Sequence, residues 1–280
     1  MRSIRALLRT PSFLLMHVGC GLVIWTGTSR VALLICTALY LGRMIGITVG
    51  YHRYFSHRTF KTSRTFQLLL ALLGASAAQQ GPLWWAGHHR HHHRFSDTAG
   101  DTHSPGLKGF WRSHVGWILE AENQPTKYKL VPDLMKFPEL RFLNDYYFLP
   151  PLVLAAALFG LGSMLDLYMP AWETSGFQLV GWGFFVSTVL LYHGTFCVNS
   201  ITHMFGRRRF QTKDDSRNSW LIAIITLGEG WHNNHHFYPA SERQGLRWWE
   251  IDVSHYVLRV LEQMRLVWDL QKPAHAKIGK

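Results

Sequence analysis

Four apolar segments constrain the fold of this 280-residue chain more than any other feature. They cover about residues 13–27, 31–49, 148–165 and 177–198. Each is close to the 17–25 residues that a helix needs to cross a bilayer, the first only if it extends slightly beyond its apolar limits. A short polar turn joins the first two segments and another joins the last two. We therefore predict an all-α integral membrane protein with four transmembrane helices arranged as two hairpins.

A fifth apolar run, residues 66–78, is too short for a simple span. At 1.5 Å of rise per residue it is about 20 Å long, whereas the hydrocarbon core of a bilayer is about 30 Å thick. Extending it to Trp85 would draw Gln79, Gln80, Gly81 and Pro82 into the membrane. We predict a re-entrant or interfacial helix that dips into one leaflet.

The distribution of charge predicts which side of the membrane each polar segment faces. The turn between the last two apolar segments contains Asp166 and Glu173 but no Lys or Arg. The segments that follow the second and fourth apolar runs, residues 53–64 and 207–213, carry four basic residues each. By the positive-inside rule these basic ends face the cytoplasm. This topology forms a cytoplasmic helical cap from about residues 51–147 and 199–280.

Histidines are concentrated in four places, all of them in the predicted cap or at its border. The clusters are His52-Arg-Tyr-Phe-Ser-His57, His88-His89-Arg90-His91-His92-His93, His203, and His232-Asn-Asn-His235-His236. Residues three and four positions apart share one face of a helix. The last cluster therefore presents three imidazoles on one face. The second does so in two overlapping ways, through His88/His91/His92 or through His89/His92/His93, and periodicity does not choose between them.

Nine imidazoles in these clusters are too many for one metal ion but suit two. Imidazole binds zinc, iron, copper or nickel, and zinc has no redox chemistry whereas iron activates dioxygen. The apolar surroundings favour oxidation of a hydrocarbon. The isolated histidines have an ordinary explanation as packing residues; they are His17, His103, His114, His193, His255 and His275.

Together these motifs resemble the membrane fatty acyl desaturases of the stearoyl-CoA desaturase type. The similarity extends from about Leu39 to Pro239 and includes Asn199-x3-His203, Gly228-Glu-Gly-Trp-His232, Arg94-Phe-Ser-Asp-Thr and Gly109-Phe-Trp-Arg-Ser-His-Val-Gly-Trp117. The resemblance implies a single desaturase domain over residues 1–280, with a cap that holds two iron ions. The implied metal ligands are His52, His57, His89, His92, His93, His203, His232, His235, His236 and, through a water molecule, Asn199.

The resemblance also implies a bent tunnel for the acyl chain. Its bend would be shaped by Gln79, Trp85 and Thr195, and its closed end would lie near Tyr40 and Met44. The chain departs from the animal enzymes at two positions. Gly87 and His88 stand where those enzymes carry the Arg and Asp that help to hold the CoA head group. Acyl-lipid and acyl-carrier-protein substrates therefore stay open beside acyl-CoA.

The implied reaction introduces a cis double bond into a long saturated acyl chain, with Fe2+ as cofactor and dioxygen as co-substrate. Electrons would come from an external ferredoxin or small cytochrome. The formal charge of +12 suits an acidic protein or anionic lipid, and we do not expect a nucleic acid partner. The expected location is a bacterial inner membrane. The alternatives are a di-iron hydroxylase, a histidine-rich metal transporter and a zinc hydrolase.

Overall fold

A computed structural model describes residues 2–273 of the chain, with side chains from residue 11 onward. The basic side chains at the N-terminus (Arg2, Arg5 and Arg9) and His275 lie outside the described side chains. The α-helices are α1 (Arg2–Gly19), α2 (Leu22–Thr26), α3 (Arg30–Ile45), α4 (Arg64–Ser76), α5 (Pro82–Phe95), α6 (Pro105–Lys108), α7 (Trp117–Leu119), α8 (Pro138–Asp145), α9 (Leu149–Tyr168), α10 (Gly176–Leu179), α11 (Ser187–Ser200), α12 (Trp220–Ile225), α13 (His232–Phe237) and α14 (Val253–Gln263).

Several helices continue through turns of other geometry. The π-helical segments are π1 (Gly46–Ser56), π2 (Arg112–Gly116) and π3 (Val180–Val186). The 3-10 turns are Ala121–Asn123, Tyr128–Leu130, Pro170–Trp172 and Ile201–His203. The strands found within residues 2–273 are β1 (Lys61–Thr62) and β2 (Val267–Trp268), an antiparallel pair that is a small exception to the predicted all-α fold.

Three helices in the described part of the chain are long and apolar enough to cross a membrane. They are Arg30–Ser56 (27 residues), Leu149–Tyr168 (20 residues) and Pro170–His203 (34 residues). They contain the second, third and fourth predicted spans. The first predicted span corresponds to a shorter apolar helix, Pro11–Thr26, in which the turn at Cys20 and Gly21 separates α1 from α2.

The predicted re-entrant run forms α4, which has 13 residues and is about 20 Å long. It packs against α3 and π1. Two glycines permit this close approach, because a Cβ on Gly46 would lie 2.7 Å from the backbone carbon of Leu73 and a Cβ on Gly74 would lie 2.3 Å from the Tyr51 ring. The glycines thus fix α4 beside the segment that carries His52.

The cap has an apolar core of its own, formed where π1, α4, α5 and α14 meet. Fully buried side chains from these elements include Phe55, Ala71, Leu83 and Leu258. The mixed apolar and charged pattern of residues 248–270 predicts an amphipathic helix. The structure places the helix in a shorter part, α14, and the chain then enters β2. The apolar side of α14 contributes Leu258 and neighbouring residues to the core.

The glycine contact gives the first prediction. Gly46→Ala adds a methyl group where the backbone of α4 already lies within 3 Å, and overpacking of this kind costs about 1–3 kcal/mol. We expect a lower melting temperature in detergent. Gly42→Ala is the matched control, because it lies on α3 and a Cβ there has no heavy atom within 4 Å. Equal melting temperatures for the two variants would contradict this account of the packing.

Candidate metal centre

In the described part of the chain, nine of the eleven histidines in the four clusters form two groups of ring nitrogens. The potential ligand atoms of each group lie within 4.8 Å of one another. The first group is His52, His57, His89, His93 and His235, and the second is His92, His203, His232 and His236. Both segments of the predicted cap, residues 51–147 and 199–280, contribute rings to both groups.

The helix period explains how the triplets are divided. On α5, His89 and His93 are four residues apart and join the first group, whereas His92 turns toward the second. On α13, His232 and His236 are four residues apart and join the second group, whereas His235 turns toward the first. Each helix therefore serves both groups. Of the two overlapping triplets in the second cluster, all three rings of the one that begins at His89 belong to these groups. His88 and His91 belong to neither group.

The spacing of His52 and His57 depends on π1. In a regular α-helix, residues five apart do not share a face. In π1 the backbone bonds run from residue i to i+5, and the amide of His57 donates to the carbonyl of His52 at 3.2 Å. The two rings come within 4.8 Å of each other, centroid to centroid. The π-helical turn therefore brings the His52 and His57 rings together, in a position from which both could bind one metal ion.

The distances between Nε2 atoms test whether these rings fit a metal ion. In the first group, the Nε2 atoms of successive rings are 2.7 Å (His57–His89), 3.0 Å (His89–His93), 3.0 Å (His93–His235) and 3.1 Å (His235–His52) apart. Two nitrogens that bind one ion at about 2.1 Å and at right angles are about 3.0 Å apart. The first group therefore has the donor spacing of a metal coordination shell.

The second group has the same character. The Nε2 atoms of His203 and His232 are 2.9 Å apart. The Nε2 atom of His236 is buried and has no hydrogen-bond partner among the described residues. A buried polar atom without a partner is costly, and a metal ion would remove that cost. Both groups fit a metal ion by the chemistry of their donors.

Carboxylates hold four of the rings by the opposite nitrogen. The Nδ1 atom of His203 donates to Asp97 at 2.7 Å, and that of His236 donates to Asp214 at 2.7 Å. His92 donates to Asp101 at 3.1 Å, and His52 pairs with Glu229. In proteins such carboxylate–histidine pairs fix the ring and leave Nε2 free for a metal ion.

The electrostatics of the site keep these nitrogens available. Burial, followed by repulsion from neighbouring imidazoles, lowers the pKa of five rings well below the ordinary value; they are His57, His89, His93, His232 and His235. Burial also lowers the pKa of His236 to about 4, although Asp214 opposes it. These rings are neutral at pH 7, and a neutral imidazole is the form that binds metals.

The carboxylates show the complementary shift. Burial by itself would raise the pKa of Asp97, but its hydrogen bond from His203 and further donors lower it to about 2. The pKa of Asp214 is also lowered, since its bond to His236 outweighs burial. These acids are therefore charged at neutral pH and stabilise a proton on Nδ1.

Comparison with known proteins adds the deciding observation. The sequence profile described as fatty acid desaturase matches residues 28–269. The chain belongs to the fatty acid desaturase family.

Three relatives illustrate the range of this family. A palmitoyl-monogalactosyldiacylglycerol delta-7 desaturase of Arabidopsis thaliana is 39% identical over 84% of this chain, which spans 60% of the relative's length. An acyl-CoA 5-desaturase of Anemone leveillei is 36% identical over 92% of this chain and 77% of its own length. An sn-1 stearoyl-lipid 9-desaturase of Anabaena variabilis is 36% identical over 92% of this chain and 90% of its own length.

Family membership agrees with the apolar helices and with histidine groups that fit metal binding. The chain is thus a membrane-associated oxidoreductase of fatty acid metabolism. A cavity lies beside the first histidine group. Its lining includes Trp85, His89, Thr195 and Asn199, together with the aromatic side chains of Trp84, Trp117 and Phe196. It shares the first four of these residues with a smaller cavity that is also lined by His52, His92 and His232.

Three of the residues predicted to shape the substrate tunnel meet in this cavity. The Gln79 side chain donates to the Thr195 hydroxyl at 2.7 Å, and the Trp85 indole lies 3.4 Å from the Gln79 carbonyl oxygen. Tyr40 and Met44 lie on α3, and neither residue lines the two cavities. Tyr40 donates to the carbonyl of Ile225 at 2.6 Å, and Met44 is fully buried.

Asn199 lines both cavities, and its side chain has no hydrogen bond to any described residue. The four carboxylates that hold the rings are functional residues that our sequence reasoning missed. Two of them, Asp97 and Glu229, stand inside the quoted family motifs. The signal available in the sequence was an acidic residue close to a histidine cluster. The histidine that Asp97 or Glu229 contacts, however, belongs to a different cluster that is distant in the sequence.

The geometry predicts how metal content responds to single substitutions. His235→Ala removes a donor from the first group, and we expect purified protein to lose about one of two metal ions per chain. His91→Ala is the matched control, because His91 belongs to the same run on α5 but to neither group. Metal per chain is measured by plasma mass spectrometry. Equal metal content in the two variants would contradict the assignment of His235.

Proposed function

We propose that this protein is an oxygen-dependent fatty acyl desaturase that introduces a cis double bond into a long saturated acyl chain. The observation that carries the proposal is the position of the cavity. A cavity with aromatic side chains in its lining reaches His89, and a smaller cavity that shares part of this lining reaches His52, His92 and His232, so that members of both groups of histidine nitrogens face the cavities. The substrate would be an acyl-CoA or an acyl-lipid, the classes named for the relatives.

The proposed cofactor is a pair of iron ions. When bound, iron supplies the redox chemistry that activates dioxygen. The first site would be held by His52, His57, His89, His93 and His235, and the second by His92, His203, His232 and His236. We propose that Asn199 acts on the second site through a water molecule. This would compensate for the lower number of imidazoles there.

The protein's own contribution is to hold ligands and substrate in register. Carboxylates keep the protons of four rings on Nδ1, so that the same nitrogens always face the centre. The Trp85 ring lies over His89 at 5.1 Å between centroids and forms a wall between acyl chain and ligand. Positioning of this kind accounts for a large part of catalysis.

The Gln79–Thr195 hydrogen bond crosses the cavity wall beside Trp85. We propose that this bridge bends the acyl chain, so that one pair of methylene groups faces the histidines. Tyr40 and Met44 would close the far end of the tunnel. Gly87 has no side chain for contact with a CoA phosphate, and the His88 ring is buried, with its Nε2 atom 3.2 Å from the carbonyl of Pro125.

For the membrane arrangement, we propose four spans, with the Pro11–Thr26 helix as the first. The cap and its histidines would face the cytoplasm, and the membrane would be a bacterial inner membrane. Tryptophans near the helix ends, such as Trp25 and Trp172, are exposed, as expected for side chains at a membrane surface.

We propose an acidic ferredoxin or small cytochrome as the electron donor. Several basic side chains of the cap are well exposed, including Arg58 (70%) and Lys61 (69%), and Arg207 and Arg208 are exposed beyond the last span. At 0.1 M salt the Debye length is only about 10 Å. Contacts between these cations and an acidic partner would therefore weaken with salt.

This charge gives a prediction for donor-dependent turnover. Raising the ionic strength from 0.05 to 0.5 M should lower turnover with an acidic plant-type ferredoxin about tenfold. A small chemical reductant should show little dependence on salt. Turnover with ferredoxin that is the same at both ionic strengths would overturn the electrostatic docking.

The central prediction concerns the product. The protein is expressed in a bacterial host that lacks an oxygen-dependent desaturase, and fatty acids are analysed by gas chromatography–mass spectrometry. We expect a new monounsaturated fatty acid with the wild type and with His91→Ala, and none with His235→Ala. The lipid class that carries it then identifies the acyl carrier.

A di-iron hydroxylase would use the same ligands but insert oxygen. A hydroxylated fatty acid in place of the alkene would establish that alternative and overturn the desaturase.

A further inference from the structure

Three histidines outside both metal groups are joined end to end. The Nε2 atoms of His17 and His193 are 3.1 Å apart, and the Nδ1 atom of His193 lies 3.0 Å from Nε2 of His114. The chain continues to the hydroxyl of Ser200, 2.9 Å from Nδ1 of His114. Its other end is the carbonyl of Phe13, 2.8 Å from Nδ1 of His17. The sequence alone indicated separate packing residues.

The direction of these hydrogen bonds follows from the Phe13 end. A carbonyl only accepts, so Nδ1 of His17 carries the proton and its Nε2 accepts. The Nε2–H of His193 then donates to His17, and the Nε2–H of His114 donates to His193. Each neutral ring uses one donor and one acceptor, with Nδ1 of His114 accepting from the Ser200 hydroxyl, which shares its proton with the Phe196 carbonyl 3.0 Å away. Burial lowers the pKa of His114, which favours the neutral form.

The histidine chain connects three elements. His17 lies on α1, His193 on α11 and His114 on π2. Farther along α1, Gly19 packs so closely on Phe185 of π3 that a Cβ would lie 2.4 Å from the ring. Among the residues of α1 from position 11 onward, Gly19 and His17 thus each make a close contact with a neighbouring helix.

The part of α1 before His17 forms a wall of the cavity described above. Ser12 and Phe13 line it, opposite residues of α5 and α11. The Phe13 ring stacks on Tyr192 at 6.0 Å between centroids, and Tyr192 stacks on Phe196 at 5.6 Å. α1 carries none of the nine grouped histidines. Its position at the cavity therefore does not follow from metal binding.

We propose that His17, His193 and His114 form a clasp that holds α1 against the cavity and thereby positions the acyl chain. The identity of the occupant rests on the proposed function. The clasp acts through Phe13 and not on the reacting atoms, so its histidines are positioning residues. Breaking it leaves the metal groups intact but lets the Phe13 wall move away from the chain.

The test measures binding without turnover. Wild type and variants are purified in detergent, and the dissociation constant for radiolabelled palmitic acid is determined together with metal content and melting temperature. His193→Leu removes both hydrogen bonds, and we expect the dissociation constant to rise about tenfold with two metal ions retained. His193→Gln keeps one donor and one acceptor and should remain within about threefold of the wild type.

A double-mutant cycle adds a readout that general destabilisation would not give. His17→Leu breaks the same link from the other side, so His17→Leu/His193→Leu should bind palmitic acid no more weakly than His193→Leu alone. His17→Leu also carries the test by itself if His193→Leu does not fold. Unchanged binding in a folded leucine variant, equal damage by leucine and glutamine, or additive effects would each overturn the clasp.

The outcome is separable from that of the proposed reaction. Protein that binds palmitic acid through an intact clasp but yields no alkene in the host experiment would overturn the desaturase and leave the clasp standing. Alkene formation with clasp variants that bind palmitic acid as the wild type does would overturn the clasp alone.

Discussion

Neutral imidazole nitrogens repel one another through their lone pairs unless a proton or a metal ion lies between them. Here nine rings bring ring nitrogens together in two buried groups. Protons cannot satisfy all of them, because four rings keep their proton on the opposite nitrogen, where a carboxylate holds it. Two cations would resolve this repulsion, and many other features of the fold serve to keep the rings in place.

The membrane-crossing helices contribute directly to this arrangement. The helix Arg30–Ser56 ends in π1, which carries His52, and the helix Pro170–His203 ends at His203. Close packing at Gly46 and Gly74 fixes the first of these against α4. The cap then needs only two further short helices, α5 and α13, to supply the triplets. Residues of α5 and of the helix Pro170–His203 also line the cavity, so the proposed acyl chain and the grouped histidines would be held by the same helices.

The i, i+3, i+4 spacing indicated triplets of rings on helix faces because this spacing is a local property of a helix, but it left two overlapping triplets open in the second cluster, and the family resemblance chose between them. It did not divide the triplets between two groups, since that division depends on how α5 and α13 face each other. The pair His52 and His57 was anticipated from the family resemblance, but its geometry depends on π1, which no local pattern indicated. The bonds of Asp97 and Asp214 to distant histidines, and the chain from His17 to His114, are tertiary contacts between residues far apart in the sequence.

The first span shows the limits of hydropathy in the same physical terms. The apolar run was continuous in the sequence, but its helix is interrupted at Cys20 and Gly21. Attachment of α1 at Gly19 and at His17 sets its position, and neither contact changes the hydropathy of the run.

The central claim is that two imidazole-bound iron ions lie in this cap, and X-ray absorption at the iron edge tests it most directly. Protein loaded anaerobically with ferrous iron should bind two ions per chain. The spectrum should show four to five imidazole nitrogens per iron on average, at about 2.1 Å, as the groups of five and four rings require. A single iron per chain, or a shell dominated by carboxylate oxygen or sulfur, would contradict the account.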